Sequence, residues 1–169
     1  MFKRLLVICL VPYSNLILSD TLSLSENPNK LAPPASGNIF LEGKPLSGIT
    51  VIREVQTLGK IVDIVKTDEN GAFYFRPFHY DFLIPTKDGN TLKAIITITA
   101  EKGNSKKALW SSEHTGINYL PFMKPAMSTM TCDFNNGVSQ IEFQSHFEQA
   151  KRTRVKSICQ FQNNKSPTM

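Results

Sequence analysis

The chain is poor in the side chains from which catalytic and metal sites are most often built. It holds three histidines, His79, His114 and His146, and the closer two are 32 positions apart. A zinc site needs ligands that converge, often two at close spacing on one element, and no His-x-x-x-His or Cys-x-x-Cys pair occurs. The histidines are therefore read as surface residues, with no metal and no cofactor expected. There is no Gly-x-Ser-x-Gly elbow. Ser111, Ser112, Glu113 and His114 are adjacent, but a serine triad depends on spatial geometry and an oxyanion hole, not on adjacency. No catalytic residue is assigned, and the protein is read as a non-enzyme. The apolar run Leu5–Val11 falls far short of the roughly 20 residues that span a bilayer. Neither a heptad nor an internal repeat is present.

Charge of one sign is also in short supply. Lys plus Arg number 19 against 14 acids, a net +5. Lys3 and Arg4 precede the first acid, Asp20, so loss of an N-terminal leader would leave about +3, too weak a bias to argue for nucleic acid. The densest basic stretch is Lys151, Arg152, Arg154 and Lys156. In a strand, Arg152, Arg154 and Lys156 share one face, while Val155, Ser157, Cys159 and Phe161 share the other. No aromatics interleave with the charges, which reads as a solvated outer face.

What is present begins with a leader-like segment. Met1-Phe-Lys-Arg4 is basic, Leu5–Val11 and Leu16–Leu18 are apolar, and Ser23-Leu-Ser25 offers small residues at a cleavage spacing. Residues 1–25 are expected to be a secretory signal peptide, cut after Ser19 or Ser25. The mature protein is then periplasmic or secreted, with no stable membrane span once the leader is gone. Cys9 lies in the leader. The stretch Asp20–Ser36 is rich in Ser, Asn and Pro, and residues 26–36 are expected to be a linker with too little apolar content to pack. Residues 37–161 are expected to form the domain, and 162–169 a polar tail.

An even number of cysteines in an exported chain implies a disulfide. Cys132 shares strand parity with Met130 and Phe134, and Cys159 with Val155 and Phe161, so both thiols are expected to point inward and pair.

Short β-type runs alternate with tight-turn signals throughout. Ile39–Leu41, Ile49–Val55, Ile61–Val65 and Ala72–Phe75 are separated by Gly43-Lys-Pro45, Leu58-Gly59 and Asp68-Glu-Asn-Gly71. Asp68-Glu-Asn-Gly71 lacks the further acids of a calcium loop and is read as a turn. Later runs are Leu92–Glu101, Lys107–Ser112, Ser128–Phe134, Val138–Phe143 and Thr153–Phe161, with Glu113–Pro125 irregular. An all-β antiparallel β-sandwich of seven to nine strands follows. Its expected core is Ile39, Leu41, Ile49, Val51, Ile64, Phe73, Phe75, Ile96, Ile98, Trp110, Ile141 and Phe143.

Gly43, Pro45-Leu46, Gly48-Ile49 and Val51, followed by Thr67-Asp68, Gly71, Phe73 and Phe75, resemble the transthyretin-like (prealbumin-like) sandwich of carboxypeptidase regulatory-like domains. With Leu109-Trp110, Cys132-Asp133 and Cys159, the chain also resembles a family of small gamma-proteobacterial proteins that carries no assigned activity. The resemblance implies a transthyretin-like sandwich. The hydrolase class with this fold has a Tyr-Arg-Gly-Ser ending, whereas this chain ends Lys165-Ser-Pro-Thr-Met169.

Aromatics remain. Phe78, Tyr80, Phe82, Trp110, Tyr119 and Phe122 fall in or beside expected loops. They are either a binding surface, with Phe78–Phe82 and His114–Phe122 as two lips, or lids over the ends of the sandwich. The expected role is contact with another protein in the periplasm, an immunity-type protein being the specific version. The alternatives are a carbohydrate- or peptidoglycan-binding module stacking sugars on Trp110 and Tyr119, and a structural or adhesive envelope subunit. N-terminal sequencing of protein from the periplasmic fraction should find a start between Asp20 and Ala35.

Overall fold

A computed structural model describes residues 29–80, 92–144 and 152–161. Among these residues there are thirteen strands and one short helix. In chain order they are β1 (Asn29–Ala32), β2 (Ala35–Leu41), β3 (Lys44–Pro45), β4 (Thr50–Gln56), β5 (Lys60–Lys66), β6 (Ala72–Phe75), β7 (Phe78–Tyr80), β8 (Lys93–Lys102), β9 (Ser105–Thr115), α1 (Met123–Met127), β10 (Met130–Asp133), β11 (Ser139–Gln144), β12 (Arg152–Ser157) and β13 (Cys159–Phe161). Seven strands are six residues or longer, within the expected seven to nine; six segments of two to four residues make up the rest.

The strands form an all-β, sandwich-like fold. One sheet has six strands in the order β11-β12-β9-β8-β4-β5. The other has the order β13-β10-β2-β3, with β6 also paired to β2. β1 and β7 form a separate two-stranded ribbon. Alternate residues of the long strands point inward, as period-2 patterning requires: Val51 and Val55 from β4, Ala94, Ile96, Ile98 and Ala100 from β8, and Val155 from β12 are buried. Ile39, Phe73, Phe75, Met130, Cys132, Cys159 and Phe161 are buried on the other sheet. Each large aliphatic buried in this way contributes ~1.5–3 kcal/mol.

Leu109 and Trp110 are adjacent yet both buried. The ladder explains this: Ile98 faces Trp110 and Thr99 faces Ala108, so Leu109 is the extra residue of a β-bulge. The buried indole Nε1 donates to Ser112 Oγ at 2.8 Å, which satisfies its hydrogen bond.

Four expectations need correction. Residues 29–36 are not a linker: β1 and the start of β2 lie there, with Leu31, Ala32 and Ala35 buried. The pairing of β2 with β10 is parallel, not antiparallel, because no hairpin joins these sequence-distant strands. Ile64 is 64% exposed rather than in the core. In the sequence Lys-Ile-Val-Asp-Ile-Val-Lys of β5, one parity places two lysines inward and the other a single aspartate. The aspartate faces Arg53 across the β4–β5 ladder, so its parity wins and Ile64 turns out. Lastly, the stretch Glu113–Pro125 is not wholly irregular. β9 runs to Thr115, and α1 accommodates Pro125 in its first turn, where the missing N–H costs little.

The parallel β2–β10 contact demands a residue without a side chain. A Cβ on Gly37 would lie 2.2 Å from the Met130 carbonyl oxygen. Gly71 has φ +70° and an equally close approach, 2.4 Å, to the Ile39 carbonyl. Asp68 closes that turn by accepting from the Asn70 and Ala72 amides at 2.8 and 2.9 Å. This is the turn expected at Asp68–Gly71.

β12 and β13 are one chain segment that changes sheets at Ile158. Ser157 Oγ donates to the Leu109 carbonyl at 2.6 Å and accepts from the Cys159 amide at 2.8 Å, fastening the corner. Cys159 then sits directly opposite Cys132 on β10, and the two are disulfide-bonded. Their Cα atoms are 4.0 Å apart, tighter than the usual 4.4–6.8 Å because the ladder aligns them. The inward parity of both cysteines is as expected from the sequence.

Two outcomes are expected. Gly37→Ala should lower unfolding free energy in urea by about 2–3 kcal/mol, whereas Gly59→Ala, where the added methyl meets open space, should be near neutral. Replacing both Cys132 and Cys159 by Ala should cost about 3–4 kcal/mol and lower Tm while leaving folded protein, as followed by circular dichroism.

Candidate functional site

The aromatics singled out in the sequence separate into two groups. Trp110 is fully buried, and Phe122 stacks on Phe143 with ring centroids 4.4 Å apart. Phe161 meets Trp110 edge-on at 5.4 Å, and Phe143 lies 6.2 Å from Trp110. This cluster plugs the sandwich between β9, β11, β13 and the approach to α1. Trp110 therefore does not belong to a binding surface: it lies opposite Ile98 and shares the inward parity of Ser112 and His114. Phe78, Tyr80 and Tyr119 are half-buried around β1. Tyr80 pairs with Asn29 and Phe78 with Ala32 in the ribbon, and the Tyr119 amide donates to the Lys30 carbonyl at 2.8 Å. Phe82 and His146 lie outside the described residues.

The hydroxyl, acid and imidazole near Ser112 do not assemble. On β9, Ser112 and His114 turn inward and Glu113 turns out, as successive strand residues must. His114 is buried, not at the surface as expected, with Nε2 3.1 Å from the Asn118 carbonyl oxygen. Glu113 instead pairs with Lys93 across the outer face at 2.6 Å, and its hydrogen bond and charge raise the lysine's pKa. His79 is exposed on β7. Arg152, Arg154 and Lys156 lie on the outer face as read, where Arg152 and Arg154 both reach Glu142 at 3.4 and 3.2 Å; Lys151 lies outside the described residues.

The side of the sandwich at β5 is different in kind. β5 is the last strand of its sheet, so its outer edge has no strand partner among the described residues. Two recesses lie along it. The first, about 180 Å³, is lined by Leu31, Thr57, Leu58, Lys60, Ile61 and Tyr80. The second, about 340 Å³, is lined by Asp63, Ile64, Val65 and, across from them, Tyr74, Arg76 and Phe78. The recesses thus fall near Ile61 and Val65, which turn inward on either side of Asp63.

The second recess is also lined by the Arg53–Asp63 pair. Arg53 is 2% exposed on the inward face of β4, a position where its neighbours in parity are Val51 and Val55. Its Nε donates to Asp63 Oδ2 at 3.1 Å, Nη2 donates to the same oxygen, and Nη1 donates to the Pro33 carbonyl at 3.2 Å. The guanidinium also sits 4.9 Å from the centre of the Phe75 ring. Three of its donors and one face of the buried cation are thereby engaged. The sequence signal was the alternation Val51-x-Arg53-x-Val55, a charge where an aliphatic belongs, opposite Asp63 on the next strand. Lys66 and Arg76 are exposed nearby and join no ion pair among the described residues.

The geometry gives an open strand edge, an apolar floor and unneutralised cations at its lip. Such a surface can hold an extended chain; it brings no nucleophile and base together. Among the described residues, no three His, Cys, Asp or Glu side chains are grouped to hold a metal ion, and no helix is long and apolar enough to cross a membrane.

Residues 35–137 match the family described as a domain of unknown function, DUF6795. The match takes in more than half of the chain, from β2 through the turn after β10, and the protein belongs to this family. No curated protein and no solved structure matches the chain.

Asp63→Ala should cost about 1–3 kcal/mol, since it strands a buried guanidinium while water can reach part of the site: the Asp63 side chain is 37% exposed. The double variant Arg53→Met with Asp63→Leu should recover most of that loss in chemical denaturation, because both charges leave together.

Proposed function

We propose that this DUF6795 member is an exported, non-enzymatic binding protein that acts by protein contact in the periplasm. The observation that carries the reading is the open β5 edge with its two recesses. Natural β-proteins blunt or cover such edges, since a free row of backbone donors and acceptors templates pairing with another chain. Here a seven-residue, largely β-branched strand stands at the sheet margin with Val62 and Ile64 exposed on its outer face, blunted by charge alone, from Lys60, Lys66 and the inward Asp63. The leader-like N-terminus and the disulfide both suit an oxidising compartment outside the cytoplasm.

The finer reading is an immunity-type protein, a small domain that neutralises an incoming toxin by masking it. A transthyretin-like ancestry of the sandwich, as in carboxypeptidase regulatory-like domains, fits this use of the fold as a scaffold. The carbohydrate-binding alternative loses support from the burial of Trp110, since a sugar stacks on an exposed indole.

Photo-crosslinking tests the proposal. A benzophenone side chain placed at Ile64 in the native periplasm should trap one defined protein, and the same probe on the opposite margin at Glu142 should not. No protein adduct at Ile64, together with specific binding of the purified protein to an envelope glycan, would overturn it. N-terminal sequencing of that periplasmic protein should show a start at or before Asn29, because a later cut removes β1.

A further inference from the structure

The β5 margin has the dimensions and chemistry of a strand-addition site. Its edge is unpaired among the described residues, and the two recesses are set near Ile61 and Val65. Ile61 and Val65 are four residues apart, about 13 Å along a strand, so a chain lying along β5 reaches both recesses with every second one of its inward-facing side chains. Recognition by strand addition works in this way: main-chain hydrogen bonds supply affinity, and pockets for alternate side chains supply specificity. The floor of the groove is apolar, from Leu31, Tyr80, Phe78 and Tyr74.

Charge identifies the occupant. Arg76 lines the second recess and Lys66 stands at the end of β5 on its solvent face; both are exposed and join no ion pair among the described residues. The single acid in the groove, Asp63, is engaged by Arg53. A second copy of this chain is disfavoured by the near-palindrome of β5. Antiparallel pairing centred on Asp63 would set Asp63 against Asp63 and Lys60 against Lys66, and like charges opposite each other across a ladder are destabilising.

Resting on the protein-contact reading above, we propose that an extended acidic segment of a partner protein adds to β5 as a seventh strand of the six-stranded sheet. Apolar side chains four residues apart on that segment fill the two recesses, and its carboxylates meet Arg76 at the second recess and Lys66 at the end of β5.

The test uses the mature protein and a capped ten-residue peptide of alternating Val and Glu, with an alternating Val and Lys peptide as control. The acidic peptide should bind and slow hydrogen exchange of amides within Ile61–Val65, and the basic peptide should not. Arg76→Glu with Lys66→Glu should weaken binding by about tenfold or more, the scale of a charge-assisted contact. N-methylation of alternate peptide amides on the pairing edge should abolish binding, an arm that leaves the protein unaltered. Equal binding of both peptides, indifference to N-methylation, or protection confined to another strand would overturn the inference. So would concentration-dependent protection of β5 without peptide, which would reveal a second copy as occupant. A native partner cross-linked away from β5 would remove this inference and leave the protein-contact reading standing. Absence of any protein adduct anywhere on the surface would remove the reading itself.

Discussion

A single ion pair inside an otherwise apolar sandwich governs the side of the molecule where its surface chemistry lies. Arg53 occupies an inward position between Val51 and Val55, and burying a guanidinium is tolerable only when its donors are engaged. Asp63, directly opposite on β5, accepts two of its hydrogen bonds and the Pro33 carbonyl accepts another. That requirement sets the parity of β5. Once Asp63 faces in, Ile61 and Val65 follow it toward the recesses, while Val62 and Ile64 go to solvent beside Lys60 and Lys66. An inward charge on an edge strand is also a recognised deterrent to indiscriminate pairing. The same pair thus leaves the edge open and restricts what can join it.

The opposite end is held by different means. The β2–β10 parallel pairing, the close approach at Gly37 and the Cys132–Cys159 bond draw the N- and C-terminal parts of the domain into one sheet. The family match ends before β11, so Cys159 and the sheet-changing segment β12–β13 lie beyond it. The disulfide joins the matched region to the C-terminal strands, and the aromatic cluster of Trp110, Phe122, Phe143 and Phe161 does so by packing.

The prominence of aromatic residues in the sequence was a poor guide to exposure. A phenyl or indole ring beside turn residues has the same composition whether it caps a core or meets a partner. Trp110 is inward because its parity is that of Ser112 and His114 opposite the inward face of β8, and one extra residue, Leu109, is buried beside it in a bulge that no local signal announces. Phe78 and Tyr80, by contrast, line the recesses beside β5. What mattered at that site was an unbroken alternation containing one charge, and its meaning depended on which strand lay opposite.

The sequence by itself determined the class of fold, most strand positions, the turn at Asp68–Gly71 and the inward parity of both cysteines. Those features follow from local rules: period-2 alternation, glycine at positive φ, and side-chain capping of tight turns. Only the tertiary structure decided the face of β5, the burial of Trp110 and His114, the recruitment of residues 29–36 into strands, and the parallel contact of β2 with β10. Each of these turns on a partner distant in sequence. Ile61 and Ile64 are equally apolar, and no local energy distinguishes them; the choice was made by Arg53 on the neighbouring strand.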